Sequence, residues 1–550
     1  MNGKEVILSV GLIFHADVSK TNTHHALRPM FYVLRTPLPW LLLALLPGLF
    51  YLAVSTWGFG FSGFPLDDAW IHQTYARNLA ESGQLAFVPG VPSAGSTSPL
   101  WSLLLSGGYG LGLPFKGWTY GLGIIFLGLT GWTAARLGQK LFPESEWAGP
   151  AAGLFCVFEW HLVWAAVSGM ETILFVWLSL FLMERYLAIA SIEPNEATMS
   201  RYFGVGLLGG LLVLTRPEGL GLVGLIGLDG GIRWWRASER SANALLKRWL
   251  GLGLGLVVMV APYVLFHLRL TGLPFPNTLY AKQAEYSVIL SEFPLWWRLF
   301  GNFGPSLDSV QGVFRVIFIG AQVLLLPGLL CAAWLTFKER RWNLLPVWGW
   351  WIGHLLLYAV RLPVTYQHGR YQMPVIAWMI VVGVWGTARW VAPSSPKLKR
   401  NLFVRAGGKA LVGSLVILVV AFTVVGAQAY GRDVRIIESE MVATARWLDQ
   451  MVEPDALIAA HDIGAIGYFT RRPLIDLAGL ITPEVIPIIR DETALFDFIT
   501  SRQADYLVTF PSWYPAMTRQ PSLKLIYRTE ALWSAQAGGD NMVVYRIGQP

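Results

Sequence analysis

This 550-residue sequence is short of charge. Charged residues make up 14% of it and hydrophobic residues 54%, whereas a soluble chain carries charge at nearer a quarter of its positions. That deficit excludes a water-soluble enzyme of this length. Cysteine is nearly absent. Cys156 and Cys331 both lie in apolar runs, so neither a disulfide framework nor a zinc site is supported. No cleavable signal pattern and no internal repeat is visible. The formal net charge of +8 does not point to nucleic acid. Most Lys and Arg sit in short segments between apolar runs, where they orient a chain in a membrane.

What is present is a series of long apolar runs from Trp40 to Tyr430, with 26 tryptophans to suit many membrane–water boundaries. Eleven segments are read, near 37–57, 118–137, 148–167, 171–190, 203–215, 217–230, 248–269, 311–336, 342–361, 372–391 and 409–429. Counting them puts the basic groups on one side: Arg28 and Arg35, Arg136 and Lys140, Arg185 and Arg201, Arg233 to Arg248, Lys338 to Arg341, and Lys397 to Arg405. The positive-inside rule makes that side cytoplasmic.

Two choices secure this parity. Ser98–Leu113 does not cross; short and glycine-rich, it lies outside as a juxtamembrane helix. Residues 203–230 form a hairpin broken at Thr215-Arg-Pro-Glu-Gly219. Proline disfavours helix at the residue before it, and neither half alone spans ~30 Å of hydrocarbon. Residues 1–36 then read as a cytoplasmic lead-in, 37–430 as the membrane domain, and 58–117 as its first outer loop. Charges return in 431–550. Helices are expected at 436–451 and 493–502, and strands at 456–460, 473–478, 506–510 and 541–546. The fold class is an all-α polytopic membrane bundle with outer juxtamembrane helices, followed by a small extracytoplasmic α/β domain.

Nearly all the unusual polar clusters fall on the outer face. Asp67 and Asp68 come first, ahead of an amphipathic helix. Paired carboxylates hold a divalent cation, or one acts as general base toward a hydroxyl; equally, Asp68 simply caps the helix. The cap reading leaves Asp67 as the favoured base. His72 lies about one turn further on and can share the site. Tyr75 and Arg77 either join it or anchor the helix at the interface. Ser96 or Ser98 would cap the next helix. Glu171, in the short Ser168–Thr172 link, either faces water or completes a cation site with Asp67 or Asp68. Arg216 and Glu218 at the hairpin tip pair with each other, or Arg216 grips a phosphate with its guanidinium fork. Asn277 and Lys282 lie in one later cluster, and His368, Arg370 and Tyr371 in another; cations at a membrane edge often only snorkel. Glu159 and His161, inside a segment, read as a satisfied core pair.

These motifs together resemble the GT-C superfamily of bacterial polytopic membrane glycosyltransferases. They are the acidic pair, Tyr75-Ala-Arg-Asn-Leu79, Ser96-Thr-Ser-Pro-Leu-Trp101, Ser168-Gly-Met-Glu-Thr172, Thr215-Arg-Pro-Glu-Gly219, Pro276-Asn-Thr-Leu-Tyr-Ala-Lys282 and His368-Gly-Arg-Tyr-Gln-Met-Pro374. The chain is most similar to the mycobacterial-type terminal arabinofuranosyltransferases and their uncharacterised relatives. His461-Asp-Ile-Gly464 and Ile475-Asp-Leu-Ala-Gly479 resemble that group's extracytoplasmic domain. The resemblance implies an inverting transfer of a sugar, such as a pentofuranose, from a polyprenyl-phosphate donor. The acceptor would be a cell-envelope glycan or lipid, outside a bacterial plasma membrane. It implies a catalytic first-loop aspartate, Asp67 or Asp68. Arg216, Lys282, His368 and Arg370 would then face the donor phosphate. His72, Tyr75, Arg77, Glu218, Asn277 and Tyr371 would face substrate. Glu171 stands where some members place a ligand for Mg, Mn or Ca. Two rivals are a lipid-linked-sugar flippase, which needs polar residues along its spans, and a non-catalytic glycan-binding assembly protein.

Overall fold

The computed structural model describes residues 34–190, 198–237, 240–301, 312–391 and 401–548. The basic lead-in 1–33 and the cluster Lys397, Lys399 and Arg400 lie outside the described residues.

Each expected membrane segment contains helix. The first is α1 (Leu38–Ala53), which ends in a π-turn, Val54–Gly58. The first outer loop holds α2 (Asp67–Ser82), a hairpin of β1 (Ala86–Val88) and β2 (Val91–Pro92), and α3 (Pro99–Gly110). At 12 residues, α3 is too short to cross a bilayer core. There follow α4 (Phe115–Leu141), α5 (Ala148–Phe158), α6 (Trp160–Val167), α7 (Thr172–Ala190), α8 (Met199–Thr215), α9 (Gly219–Arg236) and α10 (Ala242–Thr271). After α11 (Asn277–Glu285) come α12 (Leu326–Lys338), α13 (Leu345–Arg361), α14 (Pro374–Val391) and α15 (Leu402–Ile437). Among the described residues seven helices are long and apolar enough to cross a membrane, or eight with the bent pair α5–α6 counted as one span. The others expected to cross, α8, α9 and α13, fall below that measure.

Glycine explains how these helices approach. A Cβ on Gly153 would lie 2.5 Å from the Gly131 carbonyl, and one on Gly206 would lie 3.0 Å from the Gly255 Cα. Small residues let backbones touch where lipid offers no hydrophobic drive between helices. The same contacts confirm the hairpin. Gly219 meets Leu212 and Gly209 meets Val223, so α9 folds back along α8. Arg216, at the break, is extended (φ −156°, ψ 133°).

Two expectations fail locally. The segment 148–167 is not one straight span: it bends by 53° at Glu159. Glu159 is extended, and its carboxylate accepts the Leu162 N–H at 2.9 Å and faces His161 Nδ1 at 2.7 Å. The core pair is thus satisfied, and it caps α6. The segment 311–336 begins late, because residues 312–320 hold only a four-residue helix (Arg315–Phe318).

Helix α15 runs out of the bundle and continues through a π-turn into α16 (Ala443–Met451). The C-terminal domain then builds β3 (Ile458–Ala460), α17 (Gly464–Thr470), β4 (Leu474–Asp476), α18 (Glu492–Ser501), β5 (Tyr506–Thr509), β6 (Leu523–Arg528) and β7 (Val543–Ile547). The sheet order is β4-β3-β5-β7-β6, with β3 parallel to β4 and β5, and β7 antiparallel to β5 and β6. Strand β6 was missed from sequence: it is an edge strand, mostly exposed, with a register shift at Leu525/Tyr527. It therefore lacks the apolar alternation that marks a half-buried strand.

Sidedness is testable on intact cells. Lys524→Cys, on exposed β6, is expected to react with a membrane-impermeant maleimide from outside, and Lys338→Cys only after permeabilisation. The reverse pattern would overturn the topology.

Candidate functional site

Polar groups from five separated stretches close on one cavity of about 780 Å³ at the end of the bundle that carries the C-terminal domain. They come from the start of α2, the α6–α7 link, the α8–α9 tip, α11 and the segment before α14.

Helix α2 begins directly at Asp67, after an extended Leu66, and no side chain caps it. The premise that Asp68 is a cap is therefore wrong. Asp67 is instead the capping acid, and for a different helix. Its oxygens accept the N–H groups of Gly464 at 2.7 Å and Ala465 at 2.8 Å, at the start of α17. It is 8% exposed. Burial pushes its carboxyl up to about 7, against the pull of those two N–H groups.

Asp68 faces the cavity. Arg370 Nη2 lies 2.5 Å from its Oδ2. Burial would raise its pKa, but Arg370 and then Lys282 outweigh that and hold it well below the usual carboxylate range. Tyr371 completes the group. Its hydroxyl accepts from Lys282 Nζ at 2.5 Å and from Arg370 Nη2 at 2.9 Å. Burial pushes this phenol up; Arg370 and Lys282 bring it down to about 8. Arg216 also stands over the Tyr371 ring, 5.0 Å from its centre. Arg370 has donors to spare: Nε and Nη1 are buried without a hydrogen-bond partner.

Glu171 lies between His72 and Arg216. His72 Nε2 sits 3.2 Å from one oxygen and Arg216 Nη1 3.2 Å from the other. Against burial, His72 and Arg216 bring its pKa down to about 2. Arg216 also reaches Glu218 Oε1 at 3.1 Å and the Tyr358 hydroxyl at 3.0 Å. A guanidinium thus stands where the sequence suggested a cation. Asp67, Asp68 and Glu171 each serve a different partner. Among the described residues no group of three or more His, Cys, Asp or Glu is arranged to hold a metal ion. The residues present do not fit a cation shared by Glu171 and a first-loop aspartate.

Asp67, Asp68, His72, Glu171, Arg216, Glu218, Lys282, Arg370 and Tyr371 all line the cavity. Four expected residues do not. His368 turns away: its Nε2 lies 2.7 Å from Asp433 Oδ2, in a second pocket against Trp160 and Trp164. The cause is backbone. Gln367 and His368 are both left-handed (φ 54° and 58°), so the chain reverses between His368 and Arg370. Tyr75 bonds Ser93 Oγ at 2.6 Å, behind the cavity. Arg77 donates to the Tyr468 carbonyl at 2.5 Å and covers that ring. Asn277 donates to the Leu480 carbonyl at 3.2 Å. These last two clamp the C-terminal domain. Ser98 stands at the start of α3 but caps nothing; its hydroxyl donates to the Thr215 carbonyl at 2.5 Å. Sequence reading missed His461, Asp462, Glu285 and Trp513, which also line the cavity. The signals for His461 and Asp462 were their motif, His461-Asp-Ile-Gly464, and its position just after an expected strand.

The elevated Asp67 pKa sets a pH dependence. A carboxyl that holds its proton more tightly folded than unfolded loses stabilising effect as pH rises from the unfolded value, about 4, to the folded value, about 7. Asp67→Asn cannot ionise. Thermal unfolding followed from pH 4 to pH 7 is expected to show a flatter profile for this variant than for the parent. Parallel profiles would contradict the assignment.

Comparison with known proteins agrees with this architecture. A family described as a domain of unknown function (DUF8728) matches residues 420–545. No curated protein matches the sequence. Among solved structures, ArnT from Cupriavidus metallidurans bound to undecaprenyl phosphate aligns with a TM-score of 0.55 at 16% identity, covering 92% of this chain and 98% of that one. The Archaeoglobus fulgidus oligosaccharyltransferase tethered to an acceptor peptide aligns with a TM-score of 0.54 at 11% identity, over 86% and 69%. The same enzyme has been solved with Zn and sulfate, TM-score 0.51, 13% identity, over 87% and 69%. Mycobacterial arabinofuranosyltransferase AftD gives a TM-score of 0.48 at 15% identity, over 95% and 40%. At these identities the likeness is one of fold: this chain shares the fold of ArnT and of the archaeal oligosaccharyltransferase.

Proposed function

We propose that this protein is a membrane glycosyltransferase that takes a sugar from a polyprenyl-phosphate donor and passes it to a hydroxyl of a cell-envelope glycan or lipid. The observation that carries the reading is Arg370. It meets Asp68 through one nitrogen while two other nitrogens are buried and unpartnered beside Lys282 and Tyr371. That is a cationic seat with donors to spare, and a guanidinium binds phosphate oxygens two at a time.

The step follows from the arrangement. The donor phosphate is bound by Arg370 and Lys282. Arg370 is thereby drawn from Asp68, whose carboxylate becomes more basic as its counter-charge is shared. Asp68 takes the proton of the acceptor hydroxyl. The acceptor oxygen attacks the anomeric carbon, the bond from that carbon to the phosphate oxygen breaks, and polyprenyl phosphate leaves with inversion. Arg370 and Lys282 hold the charge that develops on the phosphate. Asp67 positions; its oxygens are occupied by the α17 amides. Glu171 orients His72 and Arg216. The comparison with ArnT, solved with undecaprenyl phosphate, supports a polyprenyl-phosphate donor. A flippase is disfavoured because the cavity's ionisable groups come from one end of the bundle. The sugar is proposed as a pentofuranose, on the motif resemblance.

The test is transfer by the full chain in lipid nanodiscs from a panel of polyprenyl-phosphate sugars. Asp68→Asn is expected to cut transfer by about 100-fold or more, the usual range for a lost general base. Wild-type transfer is expected to persist in EDTA. Full activity in Asp68→Asn would remove the base. Loss in EDTA with recovery on adding Mg or Mn would show that Arg216 does not replace a cation.

A further inference from the structure

The C-terminal sheet has its own binding geometry, and it opens on the reaction cavity. The chain leaves β3, forms β4 on one side of it, then crosses to form β5 on the other. In open α/β sheets the ligand crevice lies at such a reversal, beyond the carboxyl ends of the two strands that flank it. Those strands are β3 and β5. The residues just past β3 are His461 and Asp462; just past β5 comes the turn that carries Trp513. All three line the cavity.

Their chemistry is that of sugar recognition. Trp513 is 46% exposed, a large indole kept partly open to solvent. It is braced by Phe510 at 4.9 Å between ring centres and by the edge of His461 at 4.9 Å. A rigid, exposed indole offers a flat apolar face to the C–H face of a sugar ring. His461 is fixed by the Tyr514 hydroxyl, 2.7 Å from Nδ1, and burial pushes its pKa down to about 4, so it is neutral. Asp462 lies beside it. Burial, then Asp67 and Asp68, push the Asp462 carboxyl well above its ordinary range. A carboxyl and a neutral imidazole next to an aromatic face can donate to and accept from hydroxyls.

We propose that this crevice is the acceptor subsite: the C-terminal domain holds a neutral sugar of the acceptor on Trp513, with Asp462 bonding its hydroxyls, and presents the attacking hydroxyl to the cavity. The proposal rests on the transferase reading above. It divides the labour between the two halves of the chain. The bundle binds the lipid phosphate, and the α/β domain reads the glycan.

The experiment uses the full chain in nanodiscs. Saturation-transfer NMR is recorded with methyl arabinofuranoside, methyl galactopyranoside and methyl mannopyranoside. Undecaprenyl phosphate binding is measured in parallel by native mass spectrometry. At least one glycoside is expected to receive saturation from the wild type. The effect should fall about tenfold in Trp513→Ala, fall in Asp462→Asn, and largely survive in Trp513→Phe. Undecaprenyl phosphate should bind Trp513→Ala as it binds the wild type, which also shows the variant is folded. An unchanged glycoside signal in Trp513→Ala, or none from the wild type, would overturn the subsite. The donor reading fails separately, by undecaprenyl phosphate binding Arg370→Ala as well as it binds the wild type.

Discussion

The structure depends on one pair of hydrogen bonds. Asp67, at the first residue of α2, accepts two backbone N–H groups from the start of α17, almost 400 residues later. The contact allows no spacer: a Cβ on Gly464 would fall 2.1 Å from the Asp67 carbonyl oxygen. The bonds seat the C-terminal domain on the first loop, so that His461 and Asp462 join the bundle's residues in lining the cavity. They also separate the roles of the acidic pair. With Asp67 held by amides, Asp68 is the carboxylate left to pair with Arg370.

In a chain this poor in charge, buried ions must be paired or they are prohibitive. The cavity obeys that rule almost completely. Glu171 is matched by His72 and Arg216, Arg216 also by Glu218, and Asp68 by Arg370. What remains is informative. The unpartnered donors of Arg370 carry desolvation cost with no return inside the protein, which is the condition expected of a group awaiting an anion. Arg77 and Arg233 also keep buried, unpartnered nitrogens, but neither lines the cavity. Glu184, away from the cavity, is met at one oxygen by both Arg136 and Lys140.

Much of this was legible in the sequence, for identifiable reasons. Pro217 broke the hairpin because proline's effect on helix is local. Charge counting brought Asp68, Glu171, Arg216, Lys282 and Arg370 to one rim because membrane segments reduce topology to parity. The failures were of two kinds. Some were decided by backbone signs that no side-chain pattern encodes. The left-handed Gln367 and His368 send His368 to Asp433 while Arg370, two residues on, enters the cavity. Others were decided by long-range docking. Nothing near Asp67 announces that its partners are amides at Gly464 and Ala465, and nothing near Arg77 or Asn277 says that they clamp the C-terminal domain. The preference for Asp67 as the base rested on Asp68 capping its own helix, and no side chain caps that helix.

The reading turns on where the phosphate sits. A cryo-electron-microscopy structure of the full chain in nanodiscs with undecaprenyl phosphate settles that directly. Phosphate density against Arg370 and Lys282, with Asp68 released from Arg370, is the expected result. Phosphate at the opposite end of the bundle, beside Arg233 and Arg248, or in the pocket of His368 and Trp164, would contradict it.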